Sequence, residues 1–401
     1  MLNKVPVLLI TGYLGSGKTT LLNRILTNQK GIRFAVVVND IGEVNIDAAL
    51  IQQGGVVSQN DDSLVALQNG CICCSLKMDL IQQLHDLVAQ KAFDYIVIEA
   101  SGICEPAPIA QTICSYPEMV PQFATDGIPA LDCICSVVDA LRLRDEFEEG
   151  QALKYVAKEE DLAALVTEQI EFCNLILLNK ASEVTKEELA RIKAIIRAIQ
   201  PKAEIIETDY CDVPFEKLLH TGLFDFDRTA TSATWIQEVE DAHHHHDHDD
   251  DDDDDDEHEH HHHDHDHHDH DHEEGHDHLA EFGIDTYIYY ARKPFDLGLF
   301  DEFVAAHWPK NVLRCKGMCY FAEEYDMCYL FEQAGHQFNL RKAGEWFATM
   351  PKEELRQLMA DDLQLQHDWD EQYGDRMQKL VFIGQHLDKQ ALQAALDKCL
   401  Q

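Results

Sequence analysis

The stretch GYLGSGKTT, Gly12 to Thr20, constrains the fold more than any other part of the chain. Gly12, four residues, then Gly17-Lys18-Thr19 is the G-x-x-x-x-G-K-[ST] pattern of a phosphate-binding loop. Such a loop works between a buried strand and the first turn of a helix. Its glycines let backbone N–H groups converge on an anion, and the positive end of the helix adds to them. The flanks comply. Val5–Thr11 is an apolar run that reads as a strand, and Thr19–Thr27 carries helical spacing. Gly12, Gly15, Ser16, Gly17, Lys18, Thr19 and Thr20 are therefore candidate nucleotide ligands. Lys18 is the residue type that reaches β- and γ-phosphate oxygens, and the Thr19 hydroxyl is the type that ligates Mg²⁺.

The rest of the first half extends this into an α/β architecture. Apolar runs at Phe34–Asn39, Phe93–Glu99, Leu131–Asp139, Cys173–Asn179 and Ala203–Thr208 read as strands. They alternate with helical stretches at Met78–Gln90, Glu160–Phe172 and Lys186–Ala198. That alternation predicts a P-loop type of parallel sheet with helices on both faces. It ends near residue 225. Residues 243–278 hold seventeen of the twenty-three histidines, interleaved with Asp and Glu. A tract with no apolar face has nothing to bury and is expected to be disordered. Alternation resumes near Phe282, with Tyr287 and Tyr289, then a predicted helix Leu299–Trp308. Strands are expected at Val312–Phe321 and Tyr325–Phe331, and a last apolar run, Lys379–Gly384, precedes a closing helix. The expected organisation is an α/β domain over 1–225, a His/Asp-rich linker over 226–281 and a smaller α+β domain over 282–401.

Charge excludes some classes of function. The formal net charge is −42, and nineteen acidic residues fall within 241–278 against no Lys or Arg, leaving −23 elsewhere. Nucleic-acid binding needs clustered Lys and Arg for phosphate contacts, so it is excluded. No apolar run approaches the ~20 residues that span a bilayer, and Val5–Ile10 lacks the length and cleavage pattern of a signal peptide. Thirteen cysteines without an export signal point to reduced thiols and a cytoplasmic location away from the membrane. Cys133, Cys135 and Cys173 lie in apolar stretches, as small core residues do.

Further constellations carry chemistry. Cys71-Ile72-Cys73-Cys74 packs three thiols into four residues just before a predicted helix, whose N-terminus favours the thiolate form. Thiolates suit Zn²⁺ and its neighbours, and three of them leave a tetrahedral site open or borrowing a ligand. The loop NDIGEVNID, Asn39 to Asp47, follows the second strand and offers Asp40, Glu43 and Asp47 as hard oxygen ligands. Glu99 closes the strand YIVI, at the sheet end where nucleotide and Mg²⁺ chemistry sits in such folds. It is a candidate for orienting the attacking water or the metal's water shell, with Gly102 offering an N–H to the γ-phosphate. Asn179-Lys180 follows the strand CNLILL, where guanine-binding proteins carry Asn-Lys-x-Asp. Ser182, a weaker and neutral acceptor, stands in place of the Asp, with Glu183 beside it.

Together these motifs resemble the CobW-type GTPases, metallochaperones related to the nickel-insertion GTPases of urease and hydrogenase. The likeness rests on GYLGSGKTT, NDIGEVNID, CICC, EASG (Glu99–Gly102) and NK. In the second half it rests on RCKGMCYFA (Arg314–Ala322) and LVFIG (Leu380–Gly384). It implies GTP hydrolysis, with Mg²⁺ on Thr19, coupled to delivery of Zn²⁺ or Co²⁺ to a client metalloprotein. Cys71, Cys73 and Cys74 would hold that metal, joined by Asp40 or Glu43. Lys18, Thr19, Glu99 and Gly102 would serve hydrolysis; Asn179 and Lys180 would meet the base. A homo-oligomer is compatible with all of this. Two positions depart from the family pattern: Asp40 stands where Glu is usual, and Ser182 where Asp is usual, which predicts a relaxed preference for GTP over ATP. The histidine tract supports another reading, a metal buffer in which nucleotide only sets conformation, because imidazoles bind Zn²⁺, Co²⁺ and Ni²⁺ with little discrimination.

Overall fold

The computed structural model describes residues 4–27, 31–38, 64–66, 77–123, 125, 127–147, 162–230, 282–334, 337–361, 365–366 and 369–401. The chain divides into two compact units, one with the first seven strands and one with most of the last five.

The first unit is built on β1 (Lys4–Thr11), β2 (Phe34–Val38), β3 (Leu64–Ala66), β4 (Tyr95–Glu99), β5 (Ile128–Asp139), β6 (Leu175–Asn179) and β7 (Glu204–Glu207). Their order across the sheet is β3-β2-β4-β1-β5-β6-β7, and every pairing is parallel. Both faces of the central strands are covered, so β2, β4 and β6 have every residue buried and are apolar throughout, save for Glu99 and Asn179 at the carboxyl ends of β4 and β6. The covering helices are α1 (Lys18–Leu26), α2 (Lys77–Gln90), α3 (Pro106–Cys114), α4 (Ala140–Phe147), α5 (Leu162–Glu171) and α6 (Lys186–Ile199). A capping box starts α6: Thr185 accepts from the Glu188 N–H, and the Glu188 carboxylate accepts from the Thr185 N–H. The predicted parallel α/β architecture is present.

Several elements of the first unit differ from expectation. The strand β3 is three residues long, too short for a period to show. Helix α3 lies at residues 106–114, where two prolines and strand-like apolar residues hid the helical spacing, and α4 at residues 140–147, where the Leu-Arg-Leu-Arg alternation of residues 141–144 did so. Cys133, Cys135 and Cys173 are core residues as expected, and burial pushes all three thiols up from their ordinary range.

The second unit holds β8 (Ile284–Ala291), β9 (Val312–Phe321), β10 (Glu324–Ala334), β11 (Gln337–Glu345) and β12 (Gln378–Gln385), in the order β11-β10-β9-β12-β8. β12 runs antiparallel to both neighbours. One face is an aromatic core of Phe295, Phe300, Phe321, Phe331 and Phe382, closed by Leu392 and Leu396 of the last helix, α8 (Lys389–Asp397), with α7 (Leu297–Glu302) beside it. The expected helix 299–308 is instead α7 followed by a wider turn at Phe303–His307. β11 is exposed along nearly all its length, so its sequence carries no alternation. No helix among the described residues is long and apolar enough to cross a membrane.

Within the sheet of the first unit, Asp132 on β5 receives a hydrogen bond from the hydroxyl of Tyr95 on β4 at 2.6 Å and from the backbone N–H groups of Thr221 and Gly222 at 3.0 and 2.7 Å. Burial, and then the Asp132 carboxylate, push the Tyr95 phenol far above its ordinary range, so it stays a donor. Tyr95→Phe leaves Asp132 short of one donor. It is expected to lower the unfolding free energy by about 1–3 kcal/mol. Urea denaturation measures this, and an unchanged midpoint would contradict it.

Candidate nucleotide site

Because every pairing in the first sheet is parallel, the carboxyl ends of its strands share one edge. Ile10 pairs with Glu99, Val38 with Glu99, Thr11 with Ser136, and Asp139 with Asn179. The phosphate-loop sequence leaves that edge at Gly12, between β1 and α1. Gly12 and Gly17 adopt φ of 137° and 116°, which L side chains rarely take. A Cβ at Gly12 would lie 2.3 Å from the Val137 carbonyl oxygen, and one at Gly17 would lie 2.5 Å from Asn179 Nδ2. Both positions require glycine. Gly15 instead borders open space, with Thr20 exposed on the first turn of α1.

Lys18 is buried, and its amine donates to the Tyr13 carbonyl across the loop at 3.2 Å. The Thr19 hydroxyl donates to Glu99 Oε1 at 3.3 Å, and Glu99 is 1% exposed. The backbone after Glu99 is fastened to β1 by a bond from the Ala100 N–H to the Ile10 carbonyl at 2.9 Å. Gly102 presses on the loop itself, since a Cβ there would sit 2.8 Å from the Leu14 backbone nitrogen. The Ser16 hydroxyl is buried with no hydrogen-bond partner among the described residues. An unserved hydroxyl inside a glycine-walled loop at a helix N-terminus fits a bound anion. The cleft beside the loop is lined by Tyr13, Leu14, Ser16, Ser136, Val138 and Arg142, with the Arg142 guanidinium 4.3 Å above the Tyr13 ring.

At the end of β6, Asn179 is 3% exposed and serves two loops at once. Its Nδ2 donates to the Ser16 carbonyl at 2.8 Å, and its Oδ1 accepts from the Cys211 N–H at 3.0 Å. Lys180, in the left-handed region at φ 59°, reaches the carboxylate of Asp139 at the end of β5. Ser182 turns to the loop after β7, where its N–H and hydroxyl both donate to Asp209 Oδ1. The Cys211 thiol lies 3.4 Å from the Gly17 carbonyl, and burial pushes it up to about 12, so it is protonated and donates there.

The structure thus gathers Gly12, Gly15, Ser16, Gly17, Lys18, Thr19, Thr20, Glu99, Gly102, Asn179 and Lys180 at one sheet edge. Asp40, Glu43, Cys71, Cys73 and Cys74 lie outside the described residues, as does the histidine tract. Sequence reasoning passed over Asp139, whose signal was its place at a strand's carboxyl end, and the Asp209–Asp212 loop, which has no local signal.

Comparison with known proteins agrees with this geometry. Residues 6–207 match the family described as CobW/HypB/UreG, nucleotide-binding domain, and residues 284–400 match the cobalamin synthesis protein cobW C-terminal domain. The chain is 33% identical over 422 residues to zinc-regulated GTPase metalloprotein activator 1 of Dictyostelium discoideum, covering 99% of this chain and 80% of that one. It is 33% identical over 226 residues to zinc chaperone CobW of Pseudomonas aeruginosa, covering 54% and 60% of the two chains. With zinc chaperone YjiA of Escherichia coli it shares 33% over 241 residues, covering 58% and 66%.

Gly12→Ala sets a methyl against the Val137 carbonyl and forces an L residue into positive φ. The expected outcome is a loss of about 1–3 kcal/mol of stability from backbone strain, together with weakened nucleotide binding. Urea denaturation and calorimetric titration with GDP measure both, and wild-type values would contradict the close approach.

Proposed function

The chain belongs to the CobW/HypB/UreG family of P-loop GTPases, and from that premise we propose that it couples GTP hydrolysis to the binding and release of zinc at Cys71, Cys73 and Cys74. The observation that carries this reading is the Thr19–Glu99 bond at the head of α1. It joins the phosphate loop to the strand end opposite Val38, and the acidic segment Asn39–Asp47 follows Val38 directly. The relatives named as zinc chaperones and as a zinc-regulated metalloprotein activator support zinc as the cargo, with Co²⁺ a second candidate.

In this mechanism the loop N–H groups and the Lys18 amine hold the β- and γ-phosphates, and Lys18 neutralises charge that develops on the transferred phosphoryl group. Asn179 and Lys180 border the base, and Gly102 offers its N–H to the γ-phosphate. Thr19 would hold Mg²⁺, which would supply charge that neutralises the phosphates. Glu99, buried against Thr19, orients the attacking water. Loss of the γ-phosphate would remove a hydrogen-bond acceptor available to the segment Asn39–Asp47, and release of that segment would withdraw the oxygen ligands Asp40 and Glu43. Zinc held by three thiolates and a departing carboxylate then passes to a client metalloprotein.

Lys18→Ala is expected to cut GTP turnover by about 100-fold or more while keeping the fold. Steady-state hydrolysis beside circular dichroism measures this, and near-normal turnover would sink the assignment of the loop. Metal affinity should also depend on nucleotide. We expect tighter zinc with a non-hydrolysable GTP analogue than with GDP, by a factor of about 5 to 150, because coupling between two sites is typically of that size and reciprocal. Competition with a chromophoric chelator reads the difference, and Cys73→Ser should abolish it. Equal affinities in the two nucleotide states would reduce the chain to a metal buffer with a nucleotide site.

A further inference from the structure

Position 182 carries no acid, yet the structure brings one there from elsewhere in the chain. Ser182 lies three residues past Asn179, and its N–H and hydroxyl donate to Asp209 Oδ1 at 3.1 and 2.9 Å. On one side of this contact the Ala181 N–H donates to the Thr208 carbonyl at 3.2 Å. On the other the Cys211 N–H donates to Asn179 Oδ1 at 3.0 Å. The loops after β6 and β7 are therefore zipped together with the Asp209 carboxylate between them. From this arrangement we infer that Asp209 is the residue that selects guanine, replacing the acid absent at position 182. The inference rests on the GTPase reading above.

The chemistry of the base explains why an acid is needed. Guanine presents two donors on one edge, N1–H and the 2-amino group, and an ionised carboxylate is an acceptor only. Adenine presents a lone pair at N1 and no 2-amino group, so the same carboxylate repels it, and selectivity comes from both terms. Ser182 has one hydroxyl, and that hydroxyl is turned toward Asp209. Its two donors fix the carboxylate by a single oxygen, Oδ1. An aspartate at 182 would remove the hydroxyl donor and set two carboxylates face to face. One acid at this place excludes the other.

The loop that carries Asp209 is also held in an unusual backbone. Tyr210 and Cys211 are consecutive non-glycine residues at φ 54°, a conformation that persists only where the surroundings over-determine it and that clusters at functional sites. What holds it is Arg24 on α1, whose Nε donates to the Tyr210 carbonyl at 2.7 Å and whose Nη1 reaches Asp212 Oδ1 at 2.8 Å. The helix that begins at the phosphate loop thus fixes the position of Asp209 as well. Tyr210 itself is 76% exposed, so the contortion serves no packing of its side chain.

Asp209→Asn tests the assignment, because the amide keeps an Oδ1 acceptor for Ser182 while adding a donor suited to the 2-carbonyl of xanthine. Isothermal titration of the full chain with GDP, IDP, XDP and ADP gives the readout. The wild type is expected to prefer GDP over IDP, XDP and ADP. Asp209→Asn should lose about 10- to 100-fold in GDP affinity, the size of a lost charged hydrogen bond, and should bind XDP more tightly than GDP. Ser182→Ala removes one of the two donors that position the carboxylate and should narrow the GDP-over-IDP ratio. Wild-type GDP binding with unchanged ratios in both variants would overturn the role of Asp209 and leave the GTPase reading standing. A wild type that binds no GDP would overturn both.

Discussion

The amide of Asn179 gives each of its ends to backbone, Nδ2 to the Ser16 carbonyl and Oδ1 to the Cys211 N–H. Three segments far apart in sequence, the phosphate loop, the end of β6 and the loop after β7, depend on that one buried side chain for their spacing. Its removal would strand two backbone groups, and a stranded buried group costs more than the bond it made. The same amide dictates the residue at position 17, because a Cβ there would strike Nδ2. Gly17 is thus required both by its own backbone angle and by the tie that aligns its neighbours.

A parallel sheet is what makes such a tie useful. Parallel pairing sends every carboxyl end to the same edge, so the loops that follow β1, β4, β5 and β6 begin side by side. Helices on both faces bury the strands and leave that edge as the place where polar side chains converge. Glu99 shows the consequence, being a carboxylate 1% exposed and hydrogen-bonded to Thr19. Its Oε1 accepts from a hydroxyl on the first turn of α1, which the loop after β1 carries over the end of β4. The second unit follows a different logic, with an aromatic face under short helices.

The sequence carries contiguous signals where the physics is local. The phosphate loop needs glycines, a lysine and a threonine at fixed spacing between a strand and a helix, and all of these occur within one turn of chain. The five-residue strands β2, β4 and β6 announced themselves because both of their faces are buried, which leaves a nearly unbroken apolar run. The exposed edge strand β11, with nothing to bury, left no pattern. Helix α3 was hidden by apolar residues that suit a strand equally well, and α4 by the alternation of Leu and Arg over residues 141–144, a choice that only packing on the sheet resolves.

The sequence by itself determined the α/β class, the phosphate loop with Lys18 and Thr19, and the strand-end positions of Glu99 and Asn179. Tertiary structure alone decided which polar side chains meet. Lys180 finds Asp139 across 41 residues and Ser182 finds Asp209 across 27. Neither pairing follows from spacing along the chain. Each depends on strand order, since β5, β6 and β7 are neighbours and parallel, and that order is fixed by how helices and strands bury one another's apolar faces.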